Sequence, residues 1–104
     1  MRQVIAGRLY DTEADGVEEV GNYSFSNRND FRHVDESLYK TKSGRYFVAG
    51  EGGPLTHYAQ SVGNNSTAGG SGIRVFTETE ALTWCESHDI DADSIAKHFD
   101  VEPA

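Results

Sequence analysis

The sequence has little cysteine, few basic residues and no long apolar run. Cys85 is the one cysteine among 104 residues, so no disulfide forms within the chain, which favours a reducing compartment. Nine basic residues against 17 acidic ones give a net charge of −8, which argues against a basic patch for nucleic acid. There is no membrane-spanning run and no signal-peptide core. We therefore expect a cytoplasmic protein without direct contacts to membrane or nucleic acid.

The length and the aromatic content fit one folded domain. A chain of 104 residues lies in the range of single domains, and 11 aromatic residues (5 Tyr, 5 Phe and 1 Trp) supply large areas to bury. We expect residues 1–104 to form a single domain. Its strand-rich part covers about residues 1–76, and its acidic helical part covers residues 77–100.

Acidic charge is concentrated at the C-terminal end of the chain. Residues 77–104 contain eight of the 17 acidic residues and one of the nine basic residues, which accounts for −7 of the net charge of −8. One interpretation is a solvated helix face that keeps a small domain in solution. The other is a surface complementary to a basic partner. The candidate partner-binding residues are Glu78, Glu80, Glu86, Asp89, Asp91 and Asp93.

The first two-thirds of the chain has the pattern of short strands and turns. Residues 3–10 predict a hairpin that turns at Ala6 and Gly7. Further strands are expected at residues 17–25, 31–41, 45–49 and 73–76. The three-and-four spacing of apolar side chains over residues 55–62 predicts helical turns. Residues 63–72 hold no large side chain, so a mobile loop is expected there.

Two helices are predicted after residue 76. Thr77 and Glu80 form a capping-box pattern, and the helix should continue to about Ser87. Asp91 has the position of an N-cap for a second short helix. Strands followed by helices indicate an α+β fold, an antiparallel β-sheet of four to five strands with two C-terminal helices packed on one face.

No motif in the sequence favours catalysis, a metal or a cofactor. The four histidines lack the spacing of metal ligands on one helix face. Residues 89–93 resemble the start of a calcium loop, but Ser94 stands where the turn glycine belongs, so a helix cap is the simpler interpretation. The glycine run at residues 50–53 lacks the ending of a phosphate-binding loop. We expect no metal site, no cofactor and no enzymatic activity.

Three segments carry a resemblance to a protein family. They read GRLYDTEA, NDFRHVDESLYKTKSGRYFVAGEGGPLTHYA and FTETEALTWCESHDIDADSIAKHFD, and residues 38–58 are the most specific block. In them the chain resembles a family of small acidic proteins carried by phages, plasmids and integrated conjugative elements of Gram-positive and gut bacteria, a type that includes anti-CRISPR inhibitors. The resemblance implies a non-catalytic inhibitor that binds a bacterial CRISPR effector protein or complex and blocks nucleic-acid binding or cleavage. It transfers no catalytic or ligand residue.

A second hypothesis is a small accessory protein–protein interaction module of a mobile element, acting in conjugation or regulation. Its interface would be a sheet edge and exposed aromatic side chains. The candidates are Tyr23, Phe25, Tyr39, Tyr46 and Tyr58. An exposed sheet edge is compatible with a monomer or a homodimer. Steep weakening of the complex by salt would favour the acidic surface, whereas indifference to salt would favour an apolar interface.

Overall fold

The computed structural model of the protein describes residues 1–27, 29–64 and 66–104. In these residues, eight β-strands precede two α-helices along the chain. The strands are β1 (Arg2–Ile5), β2 (Arg8–Asp11), β3 (Glu18–Phe25), β4 (Val34–Lys40), β5 (Tyr46–Gly52), β6 (Gln60–Ser61), β7 (Thr67–Ala68) and β8 (Gly70–Phe76); the helices are α1 (Glu78–Ser87) and α2 (Ala92–His98). Among the described residues, neither helix has the length and apolar character needed to cross a membrane.

Four strands form the main antiparallel sheet, in the order β3-β4-β5-β8. The turn between β4 and β5 contains Gly44 at a φ of 88°, a backbone conformation that favours glycine. Strands β1 and β2 form one two-stranded sheet, and β6 and β7 form another. Both helices contribute to a core on one face of the main sheet. The predicted α+β architecture, with four antiparallel strands and two C-terminal helices, is confirmed.

The larger hydrophobic core lies between the main sheet and the helices. Its buried members are Val20, Leu38, Tyr46, Val48, Ala81, Trp84, Cys85 and Phe99. Phe99, directly after α2, stacks on Tyr46 of β5 with ring centroids 4.9 Å apart. Because apolar area removed from water is the dominant stabilising term in folding, these contacts hold both helices against the sheet.

A β-bulge in β3 brings the connection between the helices close to the sheet. The register shifts between Glu19, which pairs with Tyr39, and Gly21, which pairs with Leu38. A Cβ atom at Gly21 would lie 2.7 Å from Cδ1 of Ile90, which packs against the core from the α1–α2 connection. Glycine at this position therefore leaves the space that Ile90 needs.

The N-terminal hairpin covers the opposite face of the sheet. The hairpin predicted over residues 3–10 is confirmed, and it turns through Ala6 and Gly7 at φ values of 51° and 78°. A second core cluster is formed by Tyr10, Phe47, Ala49 and Ile73. In this half of the molecule the sheet is therefore buried on both faces.

The helical turns predicted over residues 55–62 are wrong. This segment forms turns and the short strand β6. The Thr56 hydroxyl donates to the Gly53 carbonyl at 2.7 Å and accepts from the Tyr58 amide at 3.1 Å. These local side-chain bonds occupy backbone groups that a helix would have used.

The prediction of a mobile loop over residues 63–72 is wrong for Thr67–Ala68 and from Gly70 onward, where strands form. Strand β7 lies within it, and β8 begins at Gly70, which pairs with Gly52 of β5. A Cβ atom at Gly70 would lie 2.5 Å from the Tyr58 carbonyl oxygen, so the glycine permits the chain to pass close to that segment. Asn65 belongs to the same predicted loop and lies outside the described residues.

Candidate partner-binding surface

Helix α1 begins with the predicted capping box. The Thr77 hydroxyl accepts from the Glu80 amide at 3.1 Å, and the Glu80 carboxylate accepts from the Thr77 amide at 2.9 Å. Two of the amides that lack partners at a helix start are thereby satisfied. Ala81, Trp84 and Cys85 are buried and Leu82 is packed against the same core, so the polar residues of α1 face outward.

The six acidic residues predicted as a site are all exposed, and together they are called the acidic surface. Glu78, Glu80 and Glu86 lie on α1, Asp89 lies between the helices, Asp91 caps α2 and Asp93 lies in its first turn. Successive residues of an α-helix are rotated by about 100°, so the side chain of Glu80 leaves α1 on a different side from those of Glu78 and Glu86. The structure therefore spreads the six residues over the outside of two neighbouring helices.

Two members of the acidic surface have structural roles as well as charge. Hydrogen bonds from the Thr77 backbone and side chain lower the pKa of Glu80. Asp91 accepts from the Ser94 hydroxyl and amide, at 2.7 Å and 3.1 Å, and these bonds lower its pKa. Both carboxylates therefore stay ionised at neutral pH while they cap their helices.

No member of the acidic surface forms an ion pair with another residue that the structure describes. Lys97, the one basic residue between 77 and 104, lies in the last turn of α2 and forms no described ion pair either. The negative charge of the helical part is therefore not compensated by its own side chains. Such a surface attracts a positively charged partner at long range.

A buried carboxylate beneath α1 was not predicted from the sequence. Glu36 of β4 is 3 % exposed. Its Oε2 accepts from the Trp84 indole at 2.6 Å, and its Oε1 accepts from the Tyr58 hydroxyl at 2.9 Å. His57 Nε2 and an Arg74 guanidinium nitrogen lie 3.1 Å and 3.4 Å from the same Oε1. These five side chains are called the Glu36 cluster.

The Glu36 cluster positions α1 on the sheet. It joins Trp84 of α1 to β4, to β8 through Arg74, and to the segment before β6 through His57 and Tyr58. Burial and the neighbouring carboxylate raise the pKa of Tyr58, so its hydroxyl remains a donor. With both oxygens of Glu36 engaged by donors, the arrangement is that of a structural link. The clue in the sequence is that Glu36 alternates with Leu38 on the inner face of its strand.

The C-terminal end of α2 is fixed to the sheet by separate polar contacts. The Tyr46 hydroxyl and the Lys40 ammonium donate to the His98 carbonyl at 2.8 Å and 3.0 Å. The His98 ring lies 3.6 Å from the Glu18 carboxylate. Because both helices are held at defined places, the acidic surface has a fixed arrangement relative to the sheet.

The aromatic residues proposed for the alternative interface are mostly not available at the surface. Tyr46 and Tyr58 are 4 % and 6 % exposed, and Tyr23 and Tyr39 are half-buried. Phe25 is exposed at 45 %. The prediction of an aromatic interface is therefore wrong for Tyr46 and Tyr58, because their rings belong to the packed interior.

Comparison with models of known protein families, with curated proteins and with solved structures gives no match. Within the described residues, no group of three or more His, Cys, Asp or Glu side chains has the arrangement of a metal site.

Proposed function

We propose that this protein is an anti-CRISPR-type inhibitor. It binds a bacterial CRISPR effector protein or complex through the acidic surface and blocks nucleic-acid binding or cleavage without catalysis. The observation that carries the proposal is the set of six exposed carboxylates without ion-pair partners among the described residues, on two helices fixed to one sheet and on the connection between these helices. The resemblance of the chain to small acidic proteins of mobile elements supports this class of target.

The electrostatics of the target explain why such a surface would inhibit. CRISPR effectors hold guide and target strands in positively charged channels. A fixed acidic surface is drawn to such a channel by long-range attraction and competes there with phosphate groups. The remainder of the chain is close to neutral, with nine acidic and eight basic residues over positions 1–76. Contact through the helical part alone is therefore the arrangement that we propose.

A plaquing assay tests the proposal in cells. The protein is expressed in bacteria that carry different CRISPR systems, with guides against the challenging phage. We expect plaques to be restored in at least one system. Expressed protein that restores plaques in none of the systems would contradict inhibition of the CRISPR types tested.

Charge reversal then tests the acidic surface. The triple variant Glu78→Lys, Glu86→Lys, Asp93→Lys reverses three exposed charges. It leaves the caps of α1 and α2 intact, because Glu80 and Asp91 are unchanged. Its matched control reverses the same number of exposed acids in the strand-rich part, at Glu13, Asp15 and Glu19. We expect the first variant to lose inhibition and the control to retain it. Equal loss in the two variants would show that total charge matters and the surface does not, and inhibition retained by both would contradict the acidic surface as the binding site.

The accessory-module hypothesis has one observation in its favour. Phe31 and Leu55 are both 67 % exposed and adjacent, since the Leu55 amide donates to the Phe31 carbonyl at 2.9 Å. They line a cavity of about 600 Å³. Exposed apolar neighbours of this kind are typical of a protein contact. A complex that withstands salt and is lost in Phe31→Ser would favour this function over the acidic surface.

A further inference from the structure

A groove runs along the flank of α1 that carries Glu80. It has a volume of about 350 Å³ and is called the α1 groove. Its lining residues are Phe76, Thr79, Glu80, Thr83, Trp84, Ser87 and His88. Three of these are rings, and the hydroxyl-bearing residues lie along the exposed side of the helix. The groove therefore combines an aromatic base with a polar rim.

The aromatic base of the α1 groove is held in place by its neighbours. The Trp84 indole donates to Glu36, and the His88 ring stacks on Tyr23 with centroids 3.8 Å apart. Trp84 and His88 meet edge to face at 4.9 Å. Burial lowers the pKa of His88, with Glu36 opposing the shift, so its ring is neutral at neutral pH. The base thus consists of uncharged rings in fixed positions, of which Phe76 and His88 are half-buried and Trp84 is 6 % exposed.

The charge of the α1 groove is negative. Glu80 is the ionised residue among those that line it, and its capping bonds keep it ionised. Arg74 lies nearby, but its guanidinium is paired with the buried Glu36. The same guanidinium lies 5.2 Å from the Phe76 ring centroid and 5.9 Å from that of Tyr58. One planar guanidinium, that of Arg74, therefore already lies over two rings of this region.

We propose that the α1 groove receives an arginine side chain of the basic partner. A guanidinium stacks on aromatic rings, pairs with a carboxylate and donates to hydroxyl oxygens through separate nitrogens. The α1 groove offers all three, through the half-buried rings of Phe76 and His88, through Glu80, and through Thr79 and Thr83. This inference rests on the proposed function, because it names the side chain by which a basic partner would contact α1.

The first experiment uses small probes in place of the partner. N-acetyl-arginine amide is titrated into the full-length protein and compared with the uncharged citrulline analogue and with the norleucine analogue. Nuclear magnetic resonance follows the indole N–H of Trp84, the one tryptophan of the chain, and the amides of α1. We expect arginine to shift these signals with a Kd about tenfold below that of citrulline. Norleucine binding as tightly as arginine would overturn the assignment in favour of an apolar occupant.

Two variants test whether the α1 groove is the binding place. Thr83→Tyr fills the groove without a change in charge, and Ala96→Tyr places the same side chain at an exposed position of α2. We expect the first to abolish the arginine shifts and the second to retain them, with equal urea midpoints as the check on folding. Glu80→Gln keeps a side-chain acceptor for the cap. It removes the negative charge that would pair with the guanidinium, so most of the preference for arginine over citrulline should be lost. Unchanged arginine binding in Thr83→Tyr would overturn the inference.

The outcomes separate this inference from the proposed function. Restored plaques without any arginine shift in the α1 groove would overturn the inference and leave the inhibitor proposal standing. Arginine shifts without plaque restoration would overturn inhibition of the tested CRISPR types and support the groove as an arginine site. If both hold, the inference requires that Thr83→Tyr lose plaque restoration while Ala96→Tyr retains it.

Discussion

The strand-rich part of the molecule and its helical part use charged side chains in different ways. The ion pairs of Arg32 with Asp30 and of Arg74 with Glu36 lie within positions 1–76, and histidine–carboxylate contacts join His57 to Glu36 and His98 of α2 to Glu18. Two of these four contacts converge on the buried Glu36. On the helices, the exposed acids have no such partners among the described residues. Charge in the strand-rich part therefore supports the fold, whereas charge on the helices is available to the surroundings.

The difference also separates the expected effects of substitutions. Removing the carboxylate of Glu36 leaves buried donors without an acceptor, so we expect a lower free energy of unfolding. Removing a charge from the four members of the acidic surface that cap no helix breaks no described ion pair, so we expect weaker binding and little change in stability.

The largest loss of stability is expected for Glu36→Gln. An amide offers one acceptor oxygen to four donors and turns its own N–H groups toward some of them. We expect the free energy of unfolding to fall by about 3 kcal/mol in urea denaturation. The control Glu19→Gln changes an exposed position on β3 and should remain within about 0.5 kcal/mol of wild type. A similar decrease in unfolding free energy in both variants would show that the buried charge of Glu36 supports the fold no more than an exposed charge does.

A smaller loss is expected when the cap of α1 is removed. Thr77→Ala deletes the hydroxyl that accepts from the Glu80 amide, at an expected cost of about 1 kcal/mol in the unfolding free energy. Thr79→Ala, two residues further along, removes an exposed hydroxyl and introduces a better helix former. Thermal unfolding of both variants should show a lower midpoint for Thr77→Ala alone. Equal midpoints would indicate that the capping box contributes nothing to stability.

Stability should also decrease when the solution is made mildly acidic. Burial lowers the pKa of His88 and of His98 below the ordinary value of 6.5, although Glu36 and Glu18 oppose the two shifts. The unfolded chain then binds protons that the folded chain does not, so unfolding becomes easier as pH falls through about 6.5. We expect a lower urea midpoint at about pH 5 than at about pH 7.5.

A histidine variant locates the origin of this pH dependence. His88→Phe keeps a ring against Tyr23 and removes the titrating group. Its urea midpoint should change less between the two pH values than that of wild type. The capping carboxylates have lowered pKa values, so they remain ionised throughout this window and contribute nothing to the difference. A pH dependence identical to wild type would exclude His88 as a source.

The smallest effect on stability is expected for Glu86→Lys. Glu86 is exposed in the last turn of α1, which contains no basic residue. A cation at this end of a helix interacts favourably with the helix dipole, so a gain of about 0.3 kcal/mol is expected. The same substitution should weaken binding to a basic partner. A loss of stability above about 1 kcal/mol would place Glu86 with the charges that support the fold.

Local features of the fold were predictable from the sequence because neighbouring residues determine them. The capping box of Thr77 and Glu80, the Asp91 cap and the turn at Ala6 and Gly7 each depend on a few consecutive side chains. The exposure of the acidic surface follows from the same local pattern. Whether a partner binds there remains a prediction.

Features that depend on distant residues were not predictable from the sequence. The Glu36 cluster brings together positions 36, 57, 58, 74 and 84, from four separate parts of the chain. Gly70 is in a strand because Gly52 pairs with it, although its own segment resembles a loop. The wrong helical prediction over residues 55–62 has a local cause instead, because the hydrogen bonds of the Thr56 hydroxyl to Gly53 and Tyr58 compete with the apolar spacing. In each case the deciding partner lies outside the local pattern or competes with it.

The buried cysteine of α1 can be used to detect the opening of this helix by chemical labelling. Cys85 is 0 % exposed, and burial, with a smaller effect of Glu86, raises the pKa of its thiol to about 11. A thiol that is neither ionised nor accessible does not react with alkylating reagents while α1 remains on the sheet. Because Cys85 is the only thiol of the chain, its alkylation reports a single event. When alkylation is faster than reclosing, its rate in the native protein equals the rate at which α1 detaches from the sheet; when it is slower, the rate gives the fraction of molecules in which α1 is detached.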